Sequence, residues 1–291
     1  MKTLLLAITF AFIFPIQPAN SQERVSIASL NAWMIPILRK RATDRAHMIG
    51  KLAREFDGIF LQEVFTKKHK NIIKGEMPNF NSFSDKRSGI KLPSGLLNLT
   101  KFKIIETDYF RFNKCQKVQC LAKKGALRTR VLIGDKKVDI YNIHTEPFKK
   151  RFNVRKLQFN QLIEEINLND PQQNIATIII GDFNVQAGTK EYTSMNKLFE
   201  SNGFRDSWGV NKGVLGGDTW NSFENDWGQI IDRASLSQSR LDYIFVRDGD
   251  SIIDVEDVDI VFNKKVLLAP NDLVKHYLSD HFGVKIDFIL K

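Results

Sequence analysis

The segment from Lys124 to Asp182 constrains the fold more than any other part of the sequence. It holds two β-rich runs on either side of the turn residues Gly134 and Asp135, which predicts a β-hairpin. The next apolar residues recur at i, i+3, i+4 and i+7 and predict an amphipathic helix that leads into a very apolar strand: Phe159, Leu162, Ile163 and Ile166, then Ile178–Ile180. A hairpin followed at once by a helix–strand unit disfavours a doubly wound parallel sheet, in which helices join successive strands.

The rest of the chain repeats this mixture of hairpins and helix–strand units. Strands are predicted to end at Asn31 and at Glu63, and two late strands are predicted around Asp242 and after His281. Two further amphipathic helices are predicted, and the stretch from residue 67 to 100 is expected to be loop with short strands. The helices depend on two apolar sets: Ile49, Leu52, Ala53 and Phe56, and then Tyr192, Met195 and Phe199. The pattern predicts an α+β fold, with two sheets packed face to face and helices on the outside.

The N-terminal 21 residues have the composition of a secretory signal peptide. Lys2 precedes an apolar stretch from Leu4 to Ile16, and the small residues Ala19 and Ser21 follow. We therefore expect residues 1–21 to be removed, residues 22–291 to form one catalytic domain, and the product to be secreted or periplasmic.

Net charge and cysteine content limit which partners and which metal sites this domain can have. The formal net charge of +10 favours phosphate-bearing partners, but it does not choose between nucleic acid and lipid head groups. The only two cysteines, Cys115 and Cys120, are too few for a zinc site, and an oxidising compartment would favour a disulfide between them.

Polar residues recur at the ends of the predicted apolar strands. If these strand ends converge, the chain builds one cluster of carboxylates, amides and imidazoles, which suits a hard cation such as Mg²⁺ or Mn²⁺. Taken singly, each residue is better explained as an ordinary turn or surface residue. The set is Asn31, Glu63, His144, Asp182, Asn184, Asp242, Asp280 and His281.

The order of these residues closely resembles the endonuclease/exonuclease/phosphatase superfamily, motif for motif. The six motifs, in chain order, are SLNAWM, LQEVF, NIHTEP, GDFN, RLDYIF and LSDHFGV. The resemblance spans nearly the whole chain after residue 21. It implies a four-layer α/β/β/α sandwich of two mainly antiparallel sheets, and metal-dependent cleavage of phosphoester bonds.

Within the superfamily, the chain looks most like the neutral sphingomyelinases. The pair Lys124-Gly125 opens the strand that leads, through the hairpin, to His144. This implies hydrolysis of sphingomyelin to ceramide and phosphocholine by a monomer in transient contact with a membrane surface. A secreted DNase-like endonuclease acting on nucleic acid is the alternative, which the basic charge favours, and an inactive lipid-binding or nucleic-acid-binding relative is a further one.

The resemblance also implies a role for each residue in the metal and proton-transfer groups. Glu63 would bind Mg²⁺, for which Mn²⁺ or Co²⁺ could substitute, with Asn31 nearby and Asp280 as a further ligand. His281 would take a proton from the attacking water, and Asp242 would fix its tautomer.

The remaining residues are assigned to water and phosphate. Asp182 would orient the water or, in a rival assignment, act as the base itself. Asn184 and His144 would bind the phosphate oxygens, together with Lys124. Asp182 and Asn184 are expected to face the same side of an extended strand because they are two positions apart.

Overall fold

The computed structural model describes residues 24–36, 40–85, 92–232 and 235–291 of the chain. The predicted signal peptide, residues 1–21, lies outside these ranges. Within them, no helix is long and apolar enough to cross a membrane. The strands are β1 Arg24–Asn31, β2 Gly58–Gln62, β3 Asn81–Phe83, β4 Leu97–Thr100, β5 Lys103–Arg111, β6 Gly125–Ile133, β7 Lys136–His144, β8 Ala176–Asp182, β9 Arg205–Asp206, β10 Trp220–Asn221, β11 Gln238–Ser239, β12 Asp242–Arg247, β13 Ile253–Val261 and β14 Gly283–Leu290. The α-helices are α1 Ala42–Leu52, α2 Lys67–Glu76, α3 Phe152–Asn169, α4 Lys190–Glu200, α5 Ser207–Lys212 and α6 Asp226–Ile231.

Two six-stranded sheets form the body of the protein. The first has the order β13-β14-β1-β2-β4-β3, and the second has the order β5-β6-β7-β8-β12-β9. Each sheet is antiparallel except for one parallel pair, β1 with β2 in the first sheet and β7 with β8 in the second. The hairpin predicted from the sequence is β6 and β7, and the helix–strand unit that follows is α3 and β8.

The sheets pack face to face, and helices cover their outer faces. Strand β8 shows why its sequence is apolar throughout: Ile178 and Ile180 contact the other sheet, whereas Ile179 packs against the cluster that includes α3 and α4. On the first sheet, Ile27 faces inward and Ala28 faces α1. The expected four-layer α/β/β/α sandwich is therefore confirmed.

The prediction of loop and short strands for residues 67 to 100 is wrong in its first part, because helix α2 occupies Lys67–Glu76. Thr66 caps this helix by accepting a hydrogen bond from the backbone N–H of His69 at 3.2 Å. The buried face of α2 contains His69 and Lys70 beside Ile73, so hydrophobic periodicity does not reveal it. The helix packs on α1, where a Cβ on Gly50 would lie only 2.6 Å from the Cβ of Glu76.

Candidate active site

Strand register brings three of the predicted residues together in the second sheet. His144 is the partner of Asp182 across β7 and β8, and Asp182 is the partner of Asp242 across β8 and β12. A Cβ on Gly181, whose φ is 142°, would lie 2.1 Å from the carbonyl oxygen of Ile143, so β7 and β8 approach this closely only with glycine here. The glycine of the GDFN motif thus allows the two strands to present their ends side by side.

The first sheet supplies the other half of the cluster. Asn31 ends β1, whose parallel partner β2 ends directly before Glu63, and Asp280 and His281 lie just before β14 on the other side of β1. The fully buried Arg45 of α1 fixes this region, because its Nη1 donates to the carbonyl oxygens of Ala32 at 2.8 Å and Leu278 at 3.0 Å. The strand ends of the two sheets therefore converge, as the sequence predicted.

Asp182 occupies the centre of the cluster. Its Oδ2 accepts a hydrogen bond from Asn31 Nδ2 at 3.0 Å and lies 3.4 Å from His144 Nε2 and 4.0 Å from His281 Nε2. Burial alone would raise the pKa of this carboxyl, but His144, His281, Lys124 and the bond from Asn31 outweigh it and lower the pKa. Asp182 is therefore a stable carboxylate and a weak proton acceptor.

His281 and Asp242 form a buried hydrogen-bonded pair. His281 Nδ1 lies 2.8 Å from Asp242 Oδ2, which leaves Nε2 turned toward Asp182. Burial disfavours the imidazolium, but Asp242, Asp182 and Asp280 outweigh burial and raise the pKa of His281 to about 10. In the metal-free protein His281 therefore carries a proton that its carboxylate neighbours stabilise.

A segment that sequence patterns do not reveal holds this pair in place. Thr219 Oγ1 accepts hydrogen bonds from the backbone N–H groups of Leu241 at 3.0 Å and Asp242 at 3.1 Å, and Thr219 O accepts one from Phe282 N at 2.6 Å. The ring of Trp220 meets the His281 ring edge to face, with centroids 5.2 Å apart. Thr219 carries no sequence signal, whereas Arg45 could have been noticed as a charge on the apolar stripe of α1.

Asn184 is close to Asp182, but not for the reason predicted. Strand β8 ends at Asp182, and Asn184 adopts the left-handed conformation with a φ of 53°. Its backbone N–H donates to Asp182 Oδ1 at 2.9 Å, so the two residues form a turn rather than one face of an extended chain. The short side chain of Asp182 caps its own turn, and so the extended strand ends before Asn184.

Lys124 reaches the same cluster from β6. Its Nζ donates to the carbonyl oxygen of Thr145 at 2.7 Å, directly after His144. Burial lowers the pKa of Lys124 to about 8, although Glu63 and Asp182 oppose this shift. The glycine that follows is required by packing, because a Cβ on Gly125 would lie 2.0 Å from the carbonyl oxygen of Phe110. The Lys-Gly pair thus combines a buried cation with a close strand contact.

The donor set on the Glu63 side fits a hard divalent cation. Among the described residues, Glu63 Oε2 is buried without a hydrogen-bond partner. Burial, and then the neighbouring Asp280, raise the pKa of Glu63 to about 7. Asn31 Oδ1 accepts a hydrogen bond from Trp33 N at 3.1 Å, which leaves it one lone pair for a ligand. The carboxylates of Glu63 and the buried Asp280, with the amide oxygen of Asn31, are the kinds of donor that Mg²⁺ prefers.

A second group of side chains, two carboxylates and one imidazole, is also close enough together to bind a metal ion. Asp182, Asp242 and His281 can each bring one ligand atom within 4.8 Å of the others. His281 Nδ1 and Asp242 Oδ2 are, however, already bonded to each other at 2.8 Å. Glu63 Oε2 and Asp242 Oδ1 are both buried without a hydrogen-bond partner, and we assign the cation to the Glu63 side because Asp242 is already bonded to His281.

The sequence matches a family of known proteins along most of its length. A model described as the Endonuclease/Exonuclease/phosphatase family matches residues 28–281, a range that contains all eight predicted strand-end residues. The chain belongs to this family. As a member of the Endonuclease/Exonuclease/phosphatase family, it belongs to a superfamily of metal-dependent phosphodiesterases and related hydrolases.

One relative supports the expected branch of the family. A Drosophila melanogaster protein named "Putative neutral sphingomyelinase" is 27% identical over 291 aligned residues, which cover 89% of this chain and 59% of the relative. This chain therefore spans about 59% of the length of that relative. The predicted resemblance to the neutral sphingomyelinases is confirmed.

Solved structures of low identity share the fold. Beta toxin from Staphylococcus aureus superposes with a TM-score of 0.74 at 19% identity, covering 90% of this chain and 99% of the toxin. D. rerio TDP2 complexed with a single-strand DNA product has the same TM-score and identity, over 91% of this chain and 98% of TDP2. A further beta toxin structure with bound magnesium ions has a TM-score of 0.71 at 19% identity, over 91% of this chain and 99% of that chain.

Proposed function

We propose that this protein is a Mg²⁺-dependent phosphodiesterase that hydrolyses sphingomyelin to ceramide and phosphocholine by attack of water on phosphorus. One observation carries the proposal: a bonded Asp242–His281 pair turns a ring nitrogen toward Asp182, while Glu63 on the other sheet has an unpartnered oxygen. A phosphodiester needs both a group that moves a proton and a cation that offsets negative charge.

Glu63, Asp280 and Asn31 are the residues that would hold the cation. When bound there, Mg²⁺ would neutralise charge on the phosphoryl oxygens and offset part of the carboxylate field that keeps His281 protonated. Mn²⁺ and Co²⁺ have compatible ligand preferences at such a site. The magnesium ions in one beta toxin structure support this choice of metal.

His281 is the proposed general base. Asp242 accepts from Nδ1, which leaves Nε2 as the atom that takes the proton from water. Asp182 is the weaker alternative because its pKa is lowered, and its position 4.0 Å from His281 Nε2 suits it to orient the water.

His144, Asn184 and Lys124 are the proposed phosphate-binding residues. Burial, and then Lys124, lower the pKa of His144 to about 3, so the ring is neutral and would donate one hydrogen bond to a phosphoryl oxygen. Asn184 Nδ2 lies 3.4 Å from Thr145 O, the same carbonyl that Lys124 contacts, so these donors are close together. They would stabilise the negative charge of the transition state.

The choice of sphingomyelin rests on the relative named for that activity and on the position of Lys124. Nucleic acid is the second candidate substrate, supported by the net charge of +10 and by the similarity to TDP2. An inactive binding protein is disfavoured, because none of the eight strand-end residues is replaced.

A substrate panel with Mg²⁺ tests the proposal: sphingomyelin, a lysophospholipid, plasmid DNA and an inositol phosphate. We expect phosphocholine release from sphingomyelin, its loss with a chelator, and loss of both activity and calorimetric Mg²⁺ binding in Glu63→Gln. Glu164→Gln, an exposed change on α3, is the matched control. Turnover that survives chelation would contradict the metal assignment, and cleavage of plasmid DNA alone would replace the substrate.

We also propose export and a monomeric state. N-terminal sequencing of protein from the medium or periplasm should find residue 22 first, and light scattering should give the mass of one chain. An intact N-terminus in the cell interior would contradict the proposed export.

A further inference from the structure

Two loops beside the site are joined into one surface. The first loop, residues 114–121, is closed by a disulfide between Cys115 and Cys120, and the second, residues 147–152, links β7 to α3. Arg151 connects them, because its Nη1 donates to the carbonyl oxygen of Gln116 at 3.0 Å. We call these two loops, with the first turns of α3 up to residue 156, the rim surface.

Large apolar side chains of the rim surface are exposed. Leu121 is 60% exposed, Phe148 is 61% exposed and Phe152 is 37% exposed. The backbone of Phe148 is held firmly, since its carbonyl oxygen accepts bonds from Arg155 Nη1 at 2.8 Å and Arg151 N at 3.0 Å. A fixed backbone that leaves a phenyl ring in water is a feature of a contact surface rather than of a core.

The same surface is basic and lacks exposed acidic residues. No aspartate or glutamate occurs in residues 111–123, and the only one in residues 145–157 is Glu146, which is buried and paired with Arg151. Glu146 and Glu191 adjoin this surface but are each paired with an arginine, Arg151 and Arg155, so the exposed lysines favour an anionic partner. The exposed lysines are Lys114, Lys117, Lys149, Lys150 and Lys156.

The rim surface borders the proposed phosphate-binding residues. Phe148 lies four positions after His144, so its Cα is within about 15 Å of that of His144. Lys124 lies three positions after Leu121. Its Nζ donates to the carbonyl oxygen of Thr145, which lies between His144 and Phe148 in the chain. A flat partner lying on the rim surface would therefore reach the entrance of the site.

We propose that the rim surface docks on a lipid membrane that carries negatively charged head groups. Phe148, Phe152 and Leu121 enter the interfacial region of the bilayer, and the lysines contact lipid phosphates and carboxylates. The inference rests on the proposed function and adds to it the surface through which the enzyme reaches a lipid substrate.

A lipid surface fits these residues better than a nucleic acid does. Leu121 has no ring on which a base could stack, and the guanidinium of Arg151 already lies 5.0 Å from the centroid of the Phe148 ring. Another exposed apolar loop contains Leu273, 99% exposed, and Val274, 63% exposed, but Asp272 adjoins it. That loop is the rival surface in the test.

Vesicle sedimentation with chelator present separates docking from catalysis. The vesicles contain phosphatidylcholine alone or with phosphatidylserine, and no sphingomyelin. We expect the protein to bind the anionic vesicles, Lys149→Glu/Lys150→Glu to reduce partition at least about tenfold, and Phe148→Ser to reduce it about fivefold. Circular dichroism and turnover of a soluble chromogenic phosphodiester should match those of the unmodified protein.

Two control variants make the same kinds of substitution, lysine to glutamate and apolar to serine, outside the rim surface. Lys103→Glu/Lys137→Glu changes two exposed lysines that both lie beside Leu132, with Lys137 seven residues, or about 23 Å, from His144 along β7. Leu273→Ser removes the most exposed side chain of the rival loop. Both variants should bind vesicles like the unmodified protein.

Three results would overturn the docking proposal. They are unchanged vesicle binding by the rim variants, loss of binding in the controls instead, and binding of a single-stranded oligonucleotide but of no vesicle. Vesicle binding through the rim surface without phosphocholine release from sphingomyelin would leave the docking surface supported and refute the proposed substrate.

Discussion

His144 and His281 begin alike in the sequence and end in opposite electrostatic states. Both lie at strand ends, are no more than 5% exposed, and face the same oxygen of Asp182, at 3.4 and 4.0 Å. Burial and Lys124 lower the pKa of His144 to about 3, while three carboxylates raise that of His281 to about 10. Because both rings are almost equally buried, their charged neighbours decide which imidazole carries a proton.

Removal of each histidine is the strongest way to test this difference. His281→Ala should lower kcat by on the order of 10²- to 10⁴-fold, because a general base is lost. His144→Ala should cost less, since a neutral ring contributes one hydrogen bond to phosphate. Steady-state kinetics on a soluble phosphodiester measures both; near-normal kcat in His281→Ala would move the base to Asp182.

Asp242→Asn separates the hydrogen bond of His281 from its charge. The amide would remove the negative neighbour bonded at 2.8 Å, so the pKa of His281 should fall and kcat should drop by on the order of 10²-fold. NMR titration of the imidazole in the metal-free protein follows the pKa. A high pKa retained in this variant would show that Asp182 and Asp280 suffice.

Lys124→Met should make the two histidines more alike. The variant removes a positive neighbour of His144, so the pKa of His144 should rise, and loss of a phosphate contact should raise KM about tenfold. Lys137→Met, at the far end of β7, is the matched control. An unchanged kcat/KM would argue against a phosphate-binding role for Lys124.

The smallest expected effect is on stability, measured as Tm with chelator present. Below pH 6.5 an unfolded His144 would take up a proton that the folded ring, with a pKa of about 3, refuses, so this residue destabilises the fold as pH falls from 6.5 to 3. His281 has a higher pKa in the folded protein, so its protonated ring stabilises the fold. This contribution is complete below pH 6.5 and is lost as pH rises toward 10.

His144→Asn should therefore flatten the acid side of the Tm profile, and His281→Asn should flatten the alkaline side. For a chain of this size, each kcal/mol of change in the free energy of unfolding shifts Tm by about 2–4 °C. Parallel profiles for both variants would contradict the opposite pKa shifts.

The sequence revealed the site well where apolar strands end in polar residues. The sequence predicts strand β8 because Ile178–Ile180 are apolar and pack on both faces of the sheet. Asp182 indicates where this strand ends. The apolar pattern does not predict helix α2, because the buried face of this helix contains His69 and Lys70. These polar residues become buried only when α2 packs against α1.

By itself, the sequence determined which side chains the strands could present at one end of the sandwich, because alternation and turn chemistry are local. The tertiary structure decided the rest. The hydrogen bond between His281 and Asp242 joins residues of different sheets, and Thr219 binds the backbone of Leu241 from a distant loop, so these contacts exist only in the packed fold. Charge also acts through space, so the different pKa values of His144 and His281 exist only once the sheets have packed.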